Sequence, residues 1–457
     1  MDVWVAVLGA PMSSGMRGQA RRETADDAGM ARSAAPTRTR SQYSIQERQG
    51  GMASWSWASN KPQADAPYVN PEVQPWSEEN AYLHTLVTGN NGRVINQFLD
   101  RETGADAVNE VLYTLPKAYF DRVKPKKKII ALYAHGGLNS EEASIKRVRV
   151  MAPYFEANGI YPVFFTWKTG PIETIVGQVE NAVRELFGME PAAGPARGWF
   201  SDKFSDAADR TIEVAAENLL VRAVWSEMKK NAQRGADREG GLSLGVAALK
   251  RLCKEMPDVE LHAIGHSAGS ILLGHMLDLL GKSNLAFESC HLYAPACTMG
   301  FALDHYAPAI KDKVVKAVSV DVMSDYRETD DNVSKVYGKS LLYLVSRALE
   351  DVHKMPIMGM ADAWGTRPFT GGKKSKDTLN KEYWHEDTLD TLKDAIGTLK
   401  KGVTVIEHDE ENIDTGRGLI KIAHGSFDND AKVVTRTLKE ILGKPALDYK
   451  VESLTDF

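Results

Sequence analysis

The sequence predicts an α/β fold with a mostly parallel sheet of eight strands, an antiparallel N-terminal edge and helices on both faces. Short, nearly continuous apolar runs such as 129–134 favour strands that are covered on both faces. These runs alternate along the chain with helical patterns, an order that is typical of parallel sheets. Two earlier apolar runs separated by a Gly/Asn turn predict the antiparallel edge.

Length and composition limit the possible classes of protein. The 457 residues are 43% hydrophobic and 26% charged, which is ordinary for a globular chain and excludes collagen-like, coiled-coil and mostly disordered proteins. The net charge of −5 gives no electrostatic reason to bind nucleic acid. No apolar run approaches the roughly 18 residues that span a bilayer. We therefore expect no nucleic-acid partner and no transmembrane segment.

Residues 1–75 are predicted to be a disordered leader. Beyond the short apolar run 3–10 they are rich in Gly, Ala, Ser, Arg, Gln and Pro and show no hydrophobic period. Such a composition buries too little surface to offset its ordering entropy. Asp2 stands where a secretory signal needs positive charge, which argues against a signal peptide. The sequence leaves open whether part of this segment is upstream of a true start at Met30 or Met52.

The cysteines and the short motifs argue against bound cofactors. Three cysteines, Cys253, Cys290 and Cys297, suit a reducing compartment, so we expect a cytoplasmic protein. The spacing of the last two fits no usual zinc pattern, and each thiol is expected to be a small buried apolar group. No HExxH, paired CxxC or GxGxxG after a strand occurs, so neither a metal nor a dinucleotide is indicated.

The core elements are predicted in order from about residue 80. Runs 81–88 and 93–99 flank Gly89–Gly92 and indicate a hairpin. Further strands are predicted at 129–134, 160–167, 259–265, 290–296, 314–322 and 402–408. Helical patterns lie at 140–159, 246–256, 268–281, 300–312, 332–350 and 429–442. The core therefore spans 80–169 and 241–450.

Two segments interrupt the alternation of strands and helices. Residues 170–240 hold amphipathic helical pieces joined by a Gly/Pro/Ala stretch, and we expect a helical cap there. In this segment Trp199 and Phe200 either line an acyl pocket or belong to the core of the insertion itself. Residues 351–400 are polar and carry Gly and Lys, which predicts a second insertion within the core.

A serine motif stands between a predicted strand and a predicted helix. Residues 265–269 (GHSAG) match G-x-S-x-G, but residues 241–245 (GLSLG) match too, so the pattern alone is weak. Ser243 follows a polar run, whereas Ser267 follows an apolar strand and precedes an apolar helical stripe. Strand, sharp turn and helix expose a serine hydroxyl above the sheet, next to a helix N-terminus that favours negative charge. We therefore predict Ser267 as a nucleophile.

This context resembles the α/β-hydrolase superfamily, over about residues 80–450 in strand order. In that superfamily the catalytic residues follow in the order Ser, acid, His. The predicted strand 129–134 runs into 135–138 (HGGL), which is similar to the superfamily's HG-type oxyanion loop. The resemblance implies that the main-chain N–H groups of Gly137 and Ala268 hold the oxyanion, about 3 Å from each donor.

The resemblance also selects the base among eleven histidines. The superfamily places its histidine in a loop after the last strand and before the last helix, which matches His424. Histidine suits this role because its pKa lies near neutral pH. His408 ends a strand too early, and His353 and His385 lie in the polar insertion. His266 is adjacent to the nucleophile and is expected to point away from it.

The acid is predicted in the loop after strand 314–322. The superfamily's acid leaves this loop directly after the strand, which favours Asp325, with Asp330 as the alternative. Its task is to hold the imidazole tautomer and to stabilise the imidazolium. Asp330 or Asp331 could instead cap the following helix. Asp321, inside the strand, is the weakest candidate.

The resemblance implies a serine hydrolase without a cofactor. Ser267 attacks a carbonyl carbon, His424 carries the proton, Asp325 orients His424, and water releases an acyl-enzyme. By analogy with the superfamily, the expected partners are small carboxylic esters or thioesters, and amide or peptide cleavage would use the same parts. Two alternatives stay open: a catalytically silent fold that acts as a binding or scaffold protein, and an acyltransferase or haloperoxidase that uses the same pocket.

Overall fold

The computed structural model describes residues 73–96, 101–102, 104–136, 141–167, 213, 220–331, 339–365, 369–370, 373–374 and 383–454. Residues 1–72 of the predicted leader lie outside this set, as does most of the predicted cap, including Trp199 and Phe200. The packed part of the chain has begun by Val73 and Trp76, which are both buried.

Seven strands form the central sheet of the described residues. They are β1 (Thr85–Thr88), β2 (Lys128–Ala134), β3 (Ile160–Trp167), β4 (Val259–His266), β5 (Ser289–Tyr293), β6 (Val318–Met323) and β7 (Val403–His408). Their order is β1-β3-β2-β4-β5-β6-β7, and every neighbouring pair is parallel. The coarse prediction of an α/β fold with a parallel sheet agrees with this structure, whereas the predicted eighth strand and antiparallel edge do not.

The difference at the N-terminal edge has a simple cause. β1 is buried along its whole length and pairs in parallel with β3, with Thr85 opposite Phe164. The chain does reverse at the Gly/Asn turn, but the return meets β1 in the one antiparallel bridge between Thr88 and Val94. It then forms a separate two-stranded ladder. The Gly/Asn turn therefore predicted where the chain reverses, but it did not predict which strand pairs with β1.

Helices connect the strands of the sheet. They are α1 (Glu78–Leu83), α2 (Ala105–Asn109), α3 (Leu115–Val123), α4 (Glu141–Ala157), α5 (Leu220–Arg234), α6 (Gly241–Glu255), α7 (Gly269–Ser283), α8 (Met299–Lys311), α9 (Asp325–Asp330), α10 (Leu341–Leu344), α11 (Leu389–Leu399) and α12 (Ala431–Leu442). A π turn, Glu110–Thr114, joins α2 to α3, and another, Val345–Leu349, follows α10. Among the described helices, none is long and apolar enough to cross a membrane.

Shorter elements complete the described fold. They are the 3₁₀ turns Ala361–Trp364, Glu386–Thr388 and His424–Asn429, and the ladders pairing Ile95–Asn96 with Arg101–Glu102, Phe369–Thr370 with Lys373–Lys374, and Asn412–Asp414 with Leu419–Lys421. The segment predicted as a second insertion contains α11, which packs on α8. Of the predicted helix 332–350, residues 332–338 lie outside the described residues.

The sheet has one point where the connections diverge. β2 leads to β3 on one side, and β4 leads to β5 on the other, although β2 and β4 are neighbours. In an open parallel sheet the loops at the carboxyl ends of such a strand pair separate and leave a crevice, where ligands usually bind. The sequence motif 135–138 begins directly after β2, which ends at Ala134, and the motif 265–269 starts within the last two residues of β4, which ends at His266.

Candidate active site

Ser267 lies in the turn between the last residue of β4, His266, and the first residue of α7, Gly269. Its φ is +52°, in the left-handed region. Its N–H donates to the carbonyl of Tyr293 at 2.9 Å, and its carbonyl accepts from the N–H of Ala296 at 3.0 Å. A non-glycine residue keeps a strained conformation of this kind only where its surroundings hold it in place. The strand–turn–helix predicted for Ser267 is present.

The glycines of the motif allow close packing around this turn. A Cβ on Gly269 would lie 2.1 Å from the carbonyl oxygen of Ala134, a main-chain atom of β2. A Cβ on Gly265 would lie 2.8 Å from Cδ1 of Leu273. A main-chain atom cannot retreat as a flexible side chain can, so Gly269 is required for the contact between α7 and β2.

The second match to the same motif has a different structure. Ser243 lies in the first turn of α6, and its Oγ donates to the carbonyl of Ala236 at 2.7 Å. It is therefore part of a helix start and is already engaged with the main chain. The two serines therefore differ in local structure, as their sequence contexts predict.

The structure brings Ser267 and His424 together. Nε2 of His424 lies 2.9 Å from Oγ of Ser267, although 157 residues separate them in the sequence, and both side chains are buried. His424 begins the 3₁₀ turn that precedes α12, in the loop predicted for the base. When the serine hydroxyl donates to Nε2, the ring hydrogen is on Nδ1.

The other ring nitrogen of His424 is unsatisfied. Nδ1 is buried and has no hydrogen-bond partner among the described residues. Burial, helped by the nearby His266, lowers the pKa of His424 to about 3, while Asp428 opposes this shift. The imidazole is therefore neutral at neutral pH, as a base must be, but the imidazolium formed during proton transfer is poorly stabilised in this arrangement.

Asp325, the predicted acid, is engaged elsewhere. It is the first residue of α9, and it accepts a short hydrogen bond from the hydroxyl of Tyr343. It also hydrogen-bonds to Asp362, whose pKa is raised to about 8 by burial and by the charge of Asp325. Two carboxyl groups in contact must share a proton. The described contacts of Asp325 do not include His424.

The two following aspartates differ from each other. Asp330 is half-exposed and pairs with Lys421 at 3.0 Å and with Arg327 at 3.9 Å. Asp331 is buried, and its Oδ2 accepts the main-chain N–H of His424 at 3.0 Å. Among the carboxylates that the structure describes, Asp331 is the one with a direct hydrogen bond to His424.

A second main-chain hydrogen bond holds His424 from the other side. Nε2 of His266 lies 3.1 Å from the carbonyl oxygen of His424 and donates to it, because a carbonyl can only accept. Nδ1 of His266 is 3.5 Å from Oδ2 of Asp428, which also accepts from the hydroxyl of Tyr133 at 3.0 Å. Asp428 lies in the same 3₁₀ turn as His424, so the turn is fastened to the end of β4 at two points.

Asp428 is itself held by a partly buried cation, Arg147. Arg147 places Nε 3.5 Å from the Asp428 carboxylate and donates from Nη1 to the Asp428 carbonyl at 3.1 Å and to Asn429 Oδ1 at 2.5 Å. Burial alone would raise the pKa of Asp428, but Arg147, His266 and Tyr133 hold it well below its ordinary value. The carboxylate is therefore charged throughout the physiological range.

Sequence reasoning missed this group of residues, which we call the clamp: His266, Asp428, Tyr133 and Arg147. The described contacts of His266 do not include the Ser267 hydroxyl, and its ring lies beside that of His424, with the two ring centres 5.6 Å apart. One signal was available, because Asp428 follows His424 by four residues in the same short loop. Arg147 and Tyr133 carry no local signal.

Of the two predicted oxyanion donors, Ala268 is among the residues that the structure describes. The N–H of Ala268 is at the N-terminus of α7 and donates no hydrogen bond among the described residues. A Cβ on Gly136 would lie 3.4 Å from Cβ of Ser267, so the loop after β2 contacts the nucleophile. Gly137 lies outside the described residues.

His408, which sequence analysis rejected as the base, belongs to another cluster. Its Nε2 lies 2.7 Å from Oδ1 of Asp321, and Arg436 donates to both oxygens of that buried carboxylate, at 2.5 and 2.6 Å. Burial lowers the pKa of His408, but Asp321 and Glu410 raise it by more. Asp321 is therefore a structural ion-pair partner here.

Comparison with known proteins adds no family to this description. No family model matches the chain, and no significant match is found among curated proteins or solved structures. The chemistry of the site must therefore be inferred from its geometry.

Proposed function

We propose that the protein is a serine hydrolase of the α/β-hydrolase type that cleaves carboxylic esters or thioesters. The observation that carries the proposal is the 2.9 Å contact between Ser267 Oγ and His424 Nε2, made by a serine with a φ of +52°. A nucleophile needs a base within hydrogen-bond distance, and His424 meets that need. The strained strand-to-helix turn places the serine at the crevice of the sheet, where ligands usually bind.

The steps follow from the atoms in contact. The Ser267 hydroxyl loses its proton to His424 Nε2 as Oγ bonds to the carbonyl carbon. The protonated imidazole then gives that proton to the leaving alcohol or thiol, and the C–O or C–S bond breaks. Water, deprotonated in turn by His424, hydrolyses the acyl-enzyme and restores the serine.

Negative charge on the carbonyl oxygen needs fixed donors. The N–H of Ala268 at the start of α7 is the described donor, and the helix dipole adds positive potential at the same place. Gly137 stays the predicted second donor.

The acid of the triad is part of the proposal. Asp325 is the acid that the sequence favours, but its contacts are with Tyr343 and Asp362. Asp331 already bonds to the main-chain N–H of His424. This hydrogen bond fixes the main chain from which the imidazole of His424 extends. We therefore propose Asp331 as the acid that positions His424, while the charge of Asp428, which raises the pKa of His424, favours the imidazolium.

A fluorophosphonate probe tests the nucleophile. Stoichiometric labelling is expected for the natural chain and none for Ser267→Ala. Ser243→Ala is the matched control, because this serine has the same motif but lies in a helix, and it should label normally. Labelling that persists in Ser267→Ala would refute the assignment.

Asparagine variants separate the acids. Loss of the acid is expected to slow labelling by roughly 10⁴-fold. We expect this loss for Asp331→Asn, and a normal rate for Asp330→Asn, whose side chain lies at the surface. A large loss confined to Asp325→Asn would restore the acid predicted from the sequence.

A binding or scaffold protein is the second candidate. It is favoured by the unsatisfied Nδ1 of His424 and by the burial of Ser267, which is 6% exposed. A folded natural chain that neither labels nor turns over a panel of esters, thioesters and amides would support this candidate. A cytoplasmic setting remains part of either proposal, which the three free thiols support.

A further inference from the structure

Three possible metal ligands meet between α7 and α8, outside the active site. His275 and Asp278 lie on α7, three residues apart and therefore on one face of the helix, and His305 lies on α8. One donor atom from each side chain can be chosen so that all three lie within 4.8 Å of one another. The side chains of His305 and Asp278 are 20% and 39% exposed, so an ion can reach them from solvent.

Packing holds the two imidazoles in position. The ring of Phe301 packs against His305 at a tilt of 35°, with the centroids 4.1 Å apart, and meets His275 edge-on at 5.3 Å. A Cβ on Gly274 would lie 2.3 Å from Phe301, so the helices approach each other at this turn because a glycine is there. The packing of Phe301 therefore already restricts the rings of His275 and His305 before a ligand binds.

The hydrogen bond already present does not account for the whole cluster. His305 Nδ1 lies 2.8 Å from Asp278 Oδ2, which satisfies these two groups. The imidazole of His275 has no hydrogen bond among the described residues, yet it lies with its ring centre 4.9 Å from that of His305. The hydrogen bonds among the described residues therefore leave the ring nitrogens of His275 available to a ligand.

We propose that His275, Asp278 and His305 bind a divalent transition-metal ion, with Zn²⁺ as the preferred ion. Two imidazole nitrogens and one carboxylate suit Zn²⁺ and its neighbours, whereas Ca²⁺ and Mg²⁺ prefer oxygen ligands alone. With bonds of about 2.0–2.2 Å the ligand atoms of a tetrahedral ion lie roughly 3.4 Å apart, so the three donor atoms, which lie within 4.8 Å of one another, must move closer together when the ion binds. Water takes the fourth position.

The ion would connect the helix that follows the nucleophile to its neighbour. α7 begins at Gly269, two residues after Ser267, and α8 packs along it. A bound ion therefore stabilises the folded state by linkage, since the unfolded chain lacks the arranged ligands. This effect does not depend on the proposed hydrolase activity.

The test uses the full chain after removal of metals with a chelator. Calorimetric titration with ZnCl₂ is expected to show one ion per chain, an increase in the midpoint of thermal unfolding, and no comparable effect of MgCl₂ or CaCl₂. Co²⁺ should give the visible absorption of a tetrahedral complex.

Variants assign the ligands. Each of His275→Ala, His305→Ala and Asp278→Asn is expected to weaken Zn²⁺ binding at least tenfold, with circular dichroism confirming the fold. His385→Ala is the matched control, since His385 is a surface histidine beside Asp387, and it should bind normally. Absence of stoichiometric binding, or equal binding by His275→Ala and the natural chain, would overturn the proposal. Because Asp278→Asn changes an accessible side chain, it provides a test even if a histidine variant fails to fold.

Discussion

Replacing Asp428 with asparagine tests the clamp around His424. The substitution keeps the shape of the side chain but removes the charge that faces His266 and Arg147 at 3.5 Å. Removing one partner of a buried ion pair costs about 3–5 kcal/mol. Arg147 is 18% exposed and keeps its bonds to the Asp428 carbonyl and to Asn429, so we expect the lower end, about 3 kcal/mol.

Urea unfolding of the natural chain and Asp428→Asn at a series of pH values measures this loss. The folded pKa of Asp428 is depressed, so its contribution is complete above the unfolded pKa, about 3.9, and is lost as the pH falls towards the folded pKa. The difference between the two proteins should be full at pH 7 and should shrink below about pH 4. Labelling of Ser267 should also slow, because the turn of His424 loosens.

Asp258→Asn is the matched control for this experiment. Asp258 pairs with Lys128 at 2.8 Å at the surface, with 63% of its side chain exposed, so its loss should cost less than about 1 kcal/mol. The reasoning is refuted if the two variants are equally stable at pH 7, or if the deficit of Asp428→Asn does not change with pH.

Two further predictions concern packing and titration. Gly269→Ala should destabilise the protein severely, since the new Cβ would lie 2.1 Å from the Ala134 carbonyl oxygen. The control Gly397→Ala adds a Cβ in open space on a helix and should stabilise the protein by up to about 1 kcal/mol. Equal melting temperatures of the two variants would contradict this prediction. The raised pKa of His408 means that its stabilising contribution is present below about pH 6.5 and is lost as the pH rises through the folded pKa. Glu410→Gln should lower that pKa in an NMR titration, and an unchanged value would show that the carboxylate has no role.

The sequence predicted those features that local patterns encode. Six strands of the core, the turn at Ser267 and the loop of His424 each have a signal within about ten residues, such as a buried apolar run or a motif between a strand and a helix. The pairing of β1 with β3 has no such signal. A strand that is buried on both faces has the same apolar sequence pattern at the edge of a sheet as in the middle, so the pattern does not identify its neighbour.

The acid shows the same limit within the site. Position after β6 places several aspartates in one short stretch, and the sequence alone cannot tell which of them faces the base. Asp325 hydrogen-bonds to Tyr343 and to Asp362, which come later in the chain, and its described contacts do not include His424. Asp331, six residues later, is the one that reaches His424.

The two main-chain bonds that fasten His424 have a practical consequence. They involve its N–H and its carbonyl, which every amino acid except proline also has, so the loop does not depend on the imidazole for its position. A His424→Gln protein should therefore keep the shape of the crevice while lacking the group that removes the serine proton. Such a variant offers a way to trap an intact natural substrate from a cell extract and to identify it by mass spectrometry.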